Sequence, residues 1–155
     1  MQADAGFKHL TSTDISEVCI RNMQAKHETS HPHIEWKVAD MLQLDAVFDP
    51  HSFDVVLDKA GMDAVLAHKG DVWEAPQELL QQTYTVCKQV QGVLAPGGVF
   101  LSLSFGQPHF RLQYFGAAGG DSTEVAPAQD VPRWESIKKE AVDVGFGYFW
   151  YILST

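Results

Sequence analysis

Apolar and polar residues alternate along this chain with two periods, one suited to strands and one to helices. Apolar runs with β-branched or alternating positions predict strands at residues 9–13, 34–39, 53–57, 99–105, 134–142 and 147–153. Between them, helical spacing predicts a helix over 17–26, capped by Ser16, with Val18, Cys19, Ile20 and Met23 as its buried stripe. A second helix is predicted over 75–94, with Pro76 in its first turn and Leu80, Tyr84, Cys87, Val90 and Leu94 along one face. Ala95-Pro96-Gly97-Gly98 reads as a helix stop and turn. Shorter helical segments fall at 62–68 and from Pro108 to Phe115, and 116–132 reads as a mobile surface loop. Strands alternating with helices and closed by a hairpin predict an α/β fold, a mainly parallel sheet with a C-terminal antiparallel edge.

Composition narrows the setting. At 155 residues the chain reads as one domain, 1–155, large enough for a real core. A formal net charge of −9 excludes phosphate-backbone binding, hence no nucleic acid, and leans toward a basic protein partner or cationic ligand. No apolar stretch has the length of a membrane span, and the first residues do not read as a signal peptide. Cys19 and Cys87 stand far apart in helical stretches and read as reduced thiols of a cytoplasmic protein. His27, His31 and His33 share a polar loop without a completing ligand and read as exposed side chains, so no metal is expected.

The run Phe53, Val55, Val56, Leu57 reads as a central strand buried on both faces, and it ends abruptly at Asp58. Ligands of open α/β sheets sit beyond the carboxyl ends of such strands. Asp58 either stands at the chemistry or caps the turn after a core strand. Two other predicted parallel strands also end in an acid, Asp14 and Asp40. A carboxylate accepts two bonds from a diol, and Asp40 can accept from an adenine amino group while Met41 offers its N–H and an apolar side chain. Three acids on one rim favour an adenosine-containing ligand.

LDKAGMDAVL (residues 57–66) resembles the LDKGTLDAL signature of class I S-adenosylmethionine-dependent methyltransferase-like proteins, a Rossmann-like family. Members methylate protein lysines, including those of translation elongation factor one alpha and of citrate synthase. STDIS (12–16), VADM (38–41), VLAPGGVFLSLSFGQPHFR (93–111) and GYFWYILST (147–155) resemble further blocks of the family in the same order, and PHFR is closest to the elongation-factor branch. The resemblance implies S-adenosylmethionine as cofactor and a protein substrate with a target lysine. Asp14 would hold the ribose with Ile15 beside it, Asp40 and Met41 the adenine, and Asp58 would lie beside the methionine moiety and the incoming lysine as the candidate catalytic residue. Lys59 and the 60–63 turn would floor the substrate channel, with His109, Phe110 and Arg111 as its rim.

Two departures shape the expectations. Ala60-Gly61 stands where the family has Gly-Thr. The family's opening strand, its D-x-G-C-G loop and the helix behind it have no counterpart here, so the domain reads as incomplete at its N-terminus. In the family that strand lies between the strands ending here at Asp14 and Asp58. Its loss predicts either direct pairing of those two strands or complementation in an oligomer. It also keeps open a non-catalytic methyltransferase-fold protein that acts as a binding partner.

Overall fold

A computed structural model describes residues 6–67, 76–118, 130–142 and 147–155. The element order is β1 (Leu10–Asp14), α1 (Glu17–His27), β2 (Ile34–Val38), β3 (Phe53–Lys59), α2 (Gly61–Val65), α3 (Gln77–Val93), β4 (Leu94–Ser104), α4 (Pro108–Arg111), β5 (Ser136–Val142) and β6 (Tyr148–Ser154). Single 3-10 turns, Leu44–Ala46 and Leu112–Phe115, join them. The order matches the predicted alternation. β1 pairs with β2 and β3 with β4 in parallel, whereas β6 runs antiparallel to both β4 and β5. The architecture is a Rossmann-like α/β fold closed by an antiparallel hairpin, whose 143–146 turn lies outside the described residues.

The sheet comes in two parts, β1-β2 and β3-β4-β6-β5. Among the described residues β1 and β3 do not pair, which corrects the expectation of direct closure. Parallel pairing needs matched edges at strand spacing, which β1 and β3 do not reach; the chain between β2 and β3 runs over the core instead. Met41, Leu42, Val47, Phe48 and Phe53 pack there against the main core. β3 also departs from the expected fully buried strand. Val55 is 49% and Leu57 40% exposed, because β3 is an edge strand whose second face is not covered.

The covered face holds the core. Phe100 stacks on Trp134 and meets Phe115 edge-on, while Phe115 contacts Tyr151. α3 buries Leu79, Thr83, Val86, Cys87, Val90 and Val93, the last four joining this core. The predicted Cys87, Val90 and Leu94 are buried, but the first half of the stripe turns by one residue, leaving Leu80 and Tyr84 half-buried at its margin. Thr83 enters it because its hydroxyl bonds back to the carbonyls of Leu79 and Leu80, so a polar residue is buried at little cost. In α1 only Ile20 is buried and Val18 is exposed, since a two-stranded β1-β2 unit offers little surface to cover.

β4 starts at Leu94, directly after α3, so the Pro-Gly-Gly stretch lies within the strand rather than before it. Gly97 has φ +77°, and a Cβ on Gly98 would lie 3.2 Å from the Asp54 carbonyl. These glycines let β4 bulge against β3 where the register shifts between Phe53 and Val55. The expected surface loop is anchored at its described ends, because Ala117 and Val131 are buried; residues 119–129 lie outside the described residues.

The contrast between the two sheet faces is measurable. Phe100→Ala should cost about 3–5 kcal/mol in urea unfolding, because the stack on Trp134 and Phe115 collapses. Val55→Ser on the uncovered face should change stability by only about 0.5 kcal/mol.

Candidate functional site

Asp58 closes β3 at its carboxyl end, 8% exposed. Its Oδ1 accepts from the Gly61 N–H at 2.7 Å, its Oδ2 accepts from Ser102 Oγ at 2.8 Å, and the Met62 N–H reaches both oxygens at 3.3–3.4 Å. These donors occupy about three of the four acceptor positions of a carboxylate. Burial raises the Asp58 pKa above the usual carboxylate range, and the nearby Asp63 charge adds to this; the bonds from Ser102, Met62 and Gly61 oppose it. The chain after Asp58 turns so tightly that Ala60 takes φ +65°, a left-handed conformation unfavourable to a β-carbon. Gly61 lies so close that a Cβ there would sit 2.6 Å from Asp58 Oδ1.

Asp14 and Asp40 shape their own turns in a similar way. Asp14 Oδ1 accepts from the Ser16 N–H at 2.8 Å, and Ser16 caps α1 by accepting from the Cys19 N–H. Asp14 also raises the Cys19 thiol pKa, first by a hydrogen bond and, with some burial, by its charge. Asp40 Oδ1 accepts from the Leu42 N–H at 2.9 Å. In both acids the turn uses Oδ1 and fixes the carboxylate's orientation. The parallel register aligns Asp14 with Val38, two residues before Asp40, so both acids lie at one end of their strands. Met41 reaches across to the Asp58 turn: a Cβ on Gly61 would lie 3.6 Å from its Sδ and Cε. The ends of β2 and β3 thus meet through Met41, while Ile15 is 69% exposed beside the β1 end.

On the other side, Lys59 is exposed at the end of β3, opposite Leu103. His109 is exposed and Phe110 half-buried, their rings 4.0 Å apart. Arg111 departs from its expected place on the rim: it is buried, and its Nη2 lies 2.5 Å from Asp63 Oδ1. Ser104 Oγ donates to the same oxygen at 2.6 Å. Asp63 belongs to the 60–63 turn expected at the channel floor, but its pairing with Arg111 was not expected; Ser102 and Ser104 were missed as site residues, although serines alternating with apolar residues in β4 were the signal. Polar side chains on the covered face of a strand need partners there. Two surface cavities among the described residues lie elsewhere. One is lined by Gly6, Phe7, Lys8 and His33, the other by residues between the Leu44–Ala46 turn and α3.

The donor set suits an adenosyl group: two oriented carboxylates for hydroxyl and amino donors, and a thioether between strand ends for a ring. Residues 1–98 match the methyltransferase domain family. The chain is 34% identical over 149 residues to the mouse (Mus musculus) EEF1A lysine methyltransferase 4, covering 96% of this chain and 52% of that protein. It therefore spans about half the length of the curated relative it matches. A SAM-dependent methyltransferase from Methanosarcina mazei superposes with a TM-score of 0.59 at 17% identity, over 94% of this chain and 81% of that one. The N-methyltransferase NodS from Bradyrhizobium japonicum WM9, in complex with S-adenosyl-L-homocysteine, gives 0.58 at 16% identity, over 96% and 67%. These two likenesses carry the fold.

The Asp58 turn makes two expectations. Ala60→Gly should raise stability by about 1 kcal/mol or less, relief of the left-handed strain outweighing glycine's added chain entropy; Gly61→Ala should lower it, by about 1–3 kcal/mol. Both are read from urea midpoints. A carboxyl whose folded pKa is raised binds more protons folded than unfolded, so its contribution to stability falls as pH rises from the unfolded value through the folded one. The stability difference between wild type and Asp58→Asn should therefore shift against wild type across that interval, with the two pH profiles parallel above it.

Proposed function

Because the chain belongs to the methyltransferase domain family, we propose that it is an S-adenosylmethionine-dependent protein-lysine N-methyltransferase, acting in the cytoplasm on an elongation factor of the EEF1A type. The observation that carries this is the rim itself, where Asp14, Asp40 with Met41, and Asp58 stand at the carboxyl ends of β1, β2 and β3. The name of the mouse relative supports the acceptor, and the thiols of Cys19 and Cys87, free of any disulfide, support the reducing compartment.

Asp14 would accept from the ribose hydroxyls with Ile15 beside it, and Asp40 from the adenine amine while Met41 packs on the ring. Bound there, the cofactor would supply a methyl group from its sulfonium to the lysine nitrogen, the carbon–sulfur bond breaking as the amine gives up a proton. A free lysine has a pKa of about 10.4, so this chain must hold the amine neutral, by desolvation or by an acceptor. Asp58 retains about one acceptor position on a buried, oriented carboxylate, which suits it to orienting that amine. Lys59 floors the approach, and His109 and Phe110 border it. Much of the rate would come from alignment, since the departing sulfur leaves neutral.

A second reading rests on the separation of β1 from β3. Two edges unpaired among the described residues would accept a strand from another polypeptide, a second copy of this chain first among them, and a protein built to accept one need not be catalytic. Calorimetric titration with S-adenosylhomocysteine separates the readings. Micromolar binding, weakened by roughly tenfold or more in Asp14→Ala through loss of a charged hydrogen bond, supports the enzyme. No heat from either protein overturns it in favour of the binding partner, and sedimentation of a dimer would identify the second copy as the strand donor.

A further inference from the structure

The pair Asp63–Arg111 is buried on both sides, with side chains 5% and 8% exposed. It joins α2, one turn beyond Asp58, to the end of α4, 48 residues further along the chain. Three further contacts fasten the intervening loop. Ser104 Oγ donates to Asp63 and accepts from the Gly106 N–H at 2.9 Å, while Tyr151 OH donates to the Gly106 carbonyl at 2.6 Å. The guanidinium lies directly on Gly106, where a Cβ would stand 2.5 Å from Arg111 Nε and Nη2. A side chain at 106 would push the guanidinium from its present place.

The pair is poorly arranged for stability alone. Among the described residues, Asp63 Oδ2 and Arg111 Nε and Nη1 have no hydrogen-bond partner. A buried ion pair with unused donors gains little over apolar residues of similar size. What charge adds here is direction. In a helical turn, residues two apart point about 200° from each other, so holding Arg111 inward turns His109 outward. His109 is exposed, Phe110 half-buried, and Phe105 at the start of the loop is 61% exposed.

We infer that Asp63 and Arg111 are positioning residues, a buried latch that holds residues 105–111 across the carboxyl ends of β3 and β4 and so presents Phe105, His109 and Phe110 to the methyl acceptor. Aromatic faces there suit the methylene stem and cationic head of an arriving lysine. The role toward the acceptor rests on the methyltransferase reading. The latch stands without it.

Hydrogen–deuterium exchange on Arg111→Met, Gly106→Ala and the apolar double variant Asp63→Leu/Arg111→Met tests the latch. Gly106→Ala keeps both charges and displaces only the guanidinium, and the double variant fills the buried space without a charge. Amide exchange at 106–111 should quicken by about tenfold or more in all three, while the β4–β6 ladder changes by less than about twofold. The double variant should melt near the wild-type temperature and still show the fast loop, a separation that a pair serving stability alone would not produce. Unchanged exchange at 106–111 in Gly106→Ala and the double variant overturns the proposal. In methyl transfer to recombinant EEF1A, the double variant should raise KM for EEF1A by about fivefold or more and leave S-adenosylhomocysteine affinity within about twofold. An equal loss in both overturns the acceptor role. A wild-type chain that binds no S-adenosylhomocysteine would refute the methyltransferase reading and with it the acceptor role, while the exchange data would still decide the latch.

Discussion

A carboxylate taken out of water must be supplied with donors, and at Asp58 those donors are the chain's own next turn and the neighbouring strand. The rim depends on this requirement. Accepting from Gly61 and Met62 folds the backbone back at the end of β3, forcing Ala60 into a left-handed conformation and Gly61 against the carboxylate. Accepting from Ser102 fixes the ends of β3 and β4 side by side. Met41 then packs on the glycine that the turn requires, bringing the end of β2 to the same place. Asp63 follows on the first turn of α2, facing Ser104 and Arg111. Cys87 of α3 lies close enough beneath for the Asp58 charge to raise its thiol pKa, although burial is the larger cause.

The same turn explains why residues far apart in sequence share one edge. Parallel strands align their carboxyl ends, so an acid at the end of each is delivered to the same side without any sequence proximity. Asp14 and Asp40 arrive in this way, each oriented by a bond from the backbone two residues on. A carboxylate fixed by its own turn presents its second oxygen in a defined direction, which suits recognition of a diol or an amine.

The division between β1-β2 and β3-β4-β6-β5 sets the fold apart from a continuous parallel sheet. Parallel strands normally have both faces and both edges covered. Here Val55 and Leu57 face outward on a strand whose sequence is as apolar as a central one. Composition reports what a strand is suited to, and packing reports what covers it. The aromatic cluster of Phe100, Phe115, Trp134 and Tyr151 covers the other face and ties the hairpin to β4.

Local chemistry settled much of this molecule before any tertiary contact was known. The order of elements, the antiparallel hairpin, the Ser16 cap and the three strand-end acids all follow from periodicity and turn preference within a few residues of each position. Only the fold decided the rest, because the deciding partner in each case is remote in sequence. Arg111 reads as a surface cation until Asp63, 48 residues away, draws it inward. The failure of β1 and β3 to pair lay beyond any local pattern. Strand pairing is settled by how whole elements pack, and among the described residues β1 finds its partner in β2 and β3 in β4, not in each other.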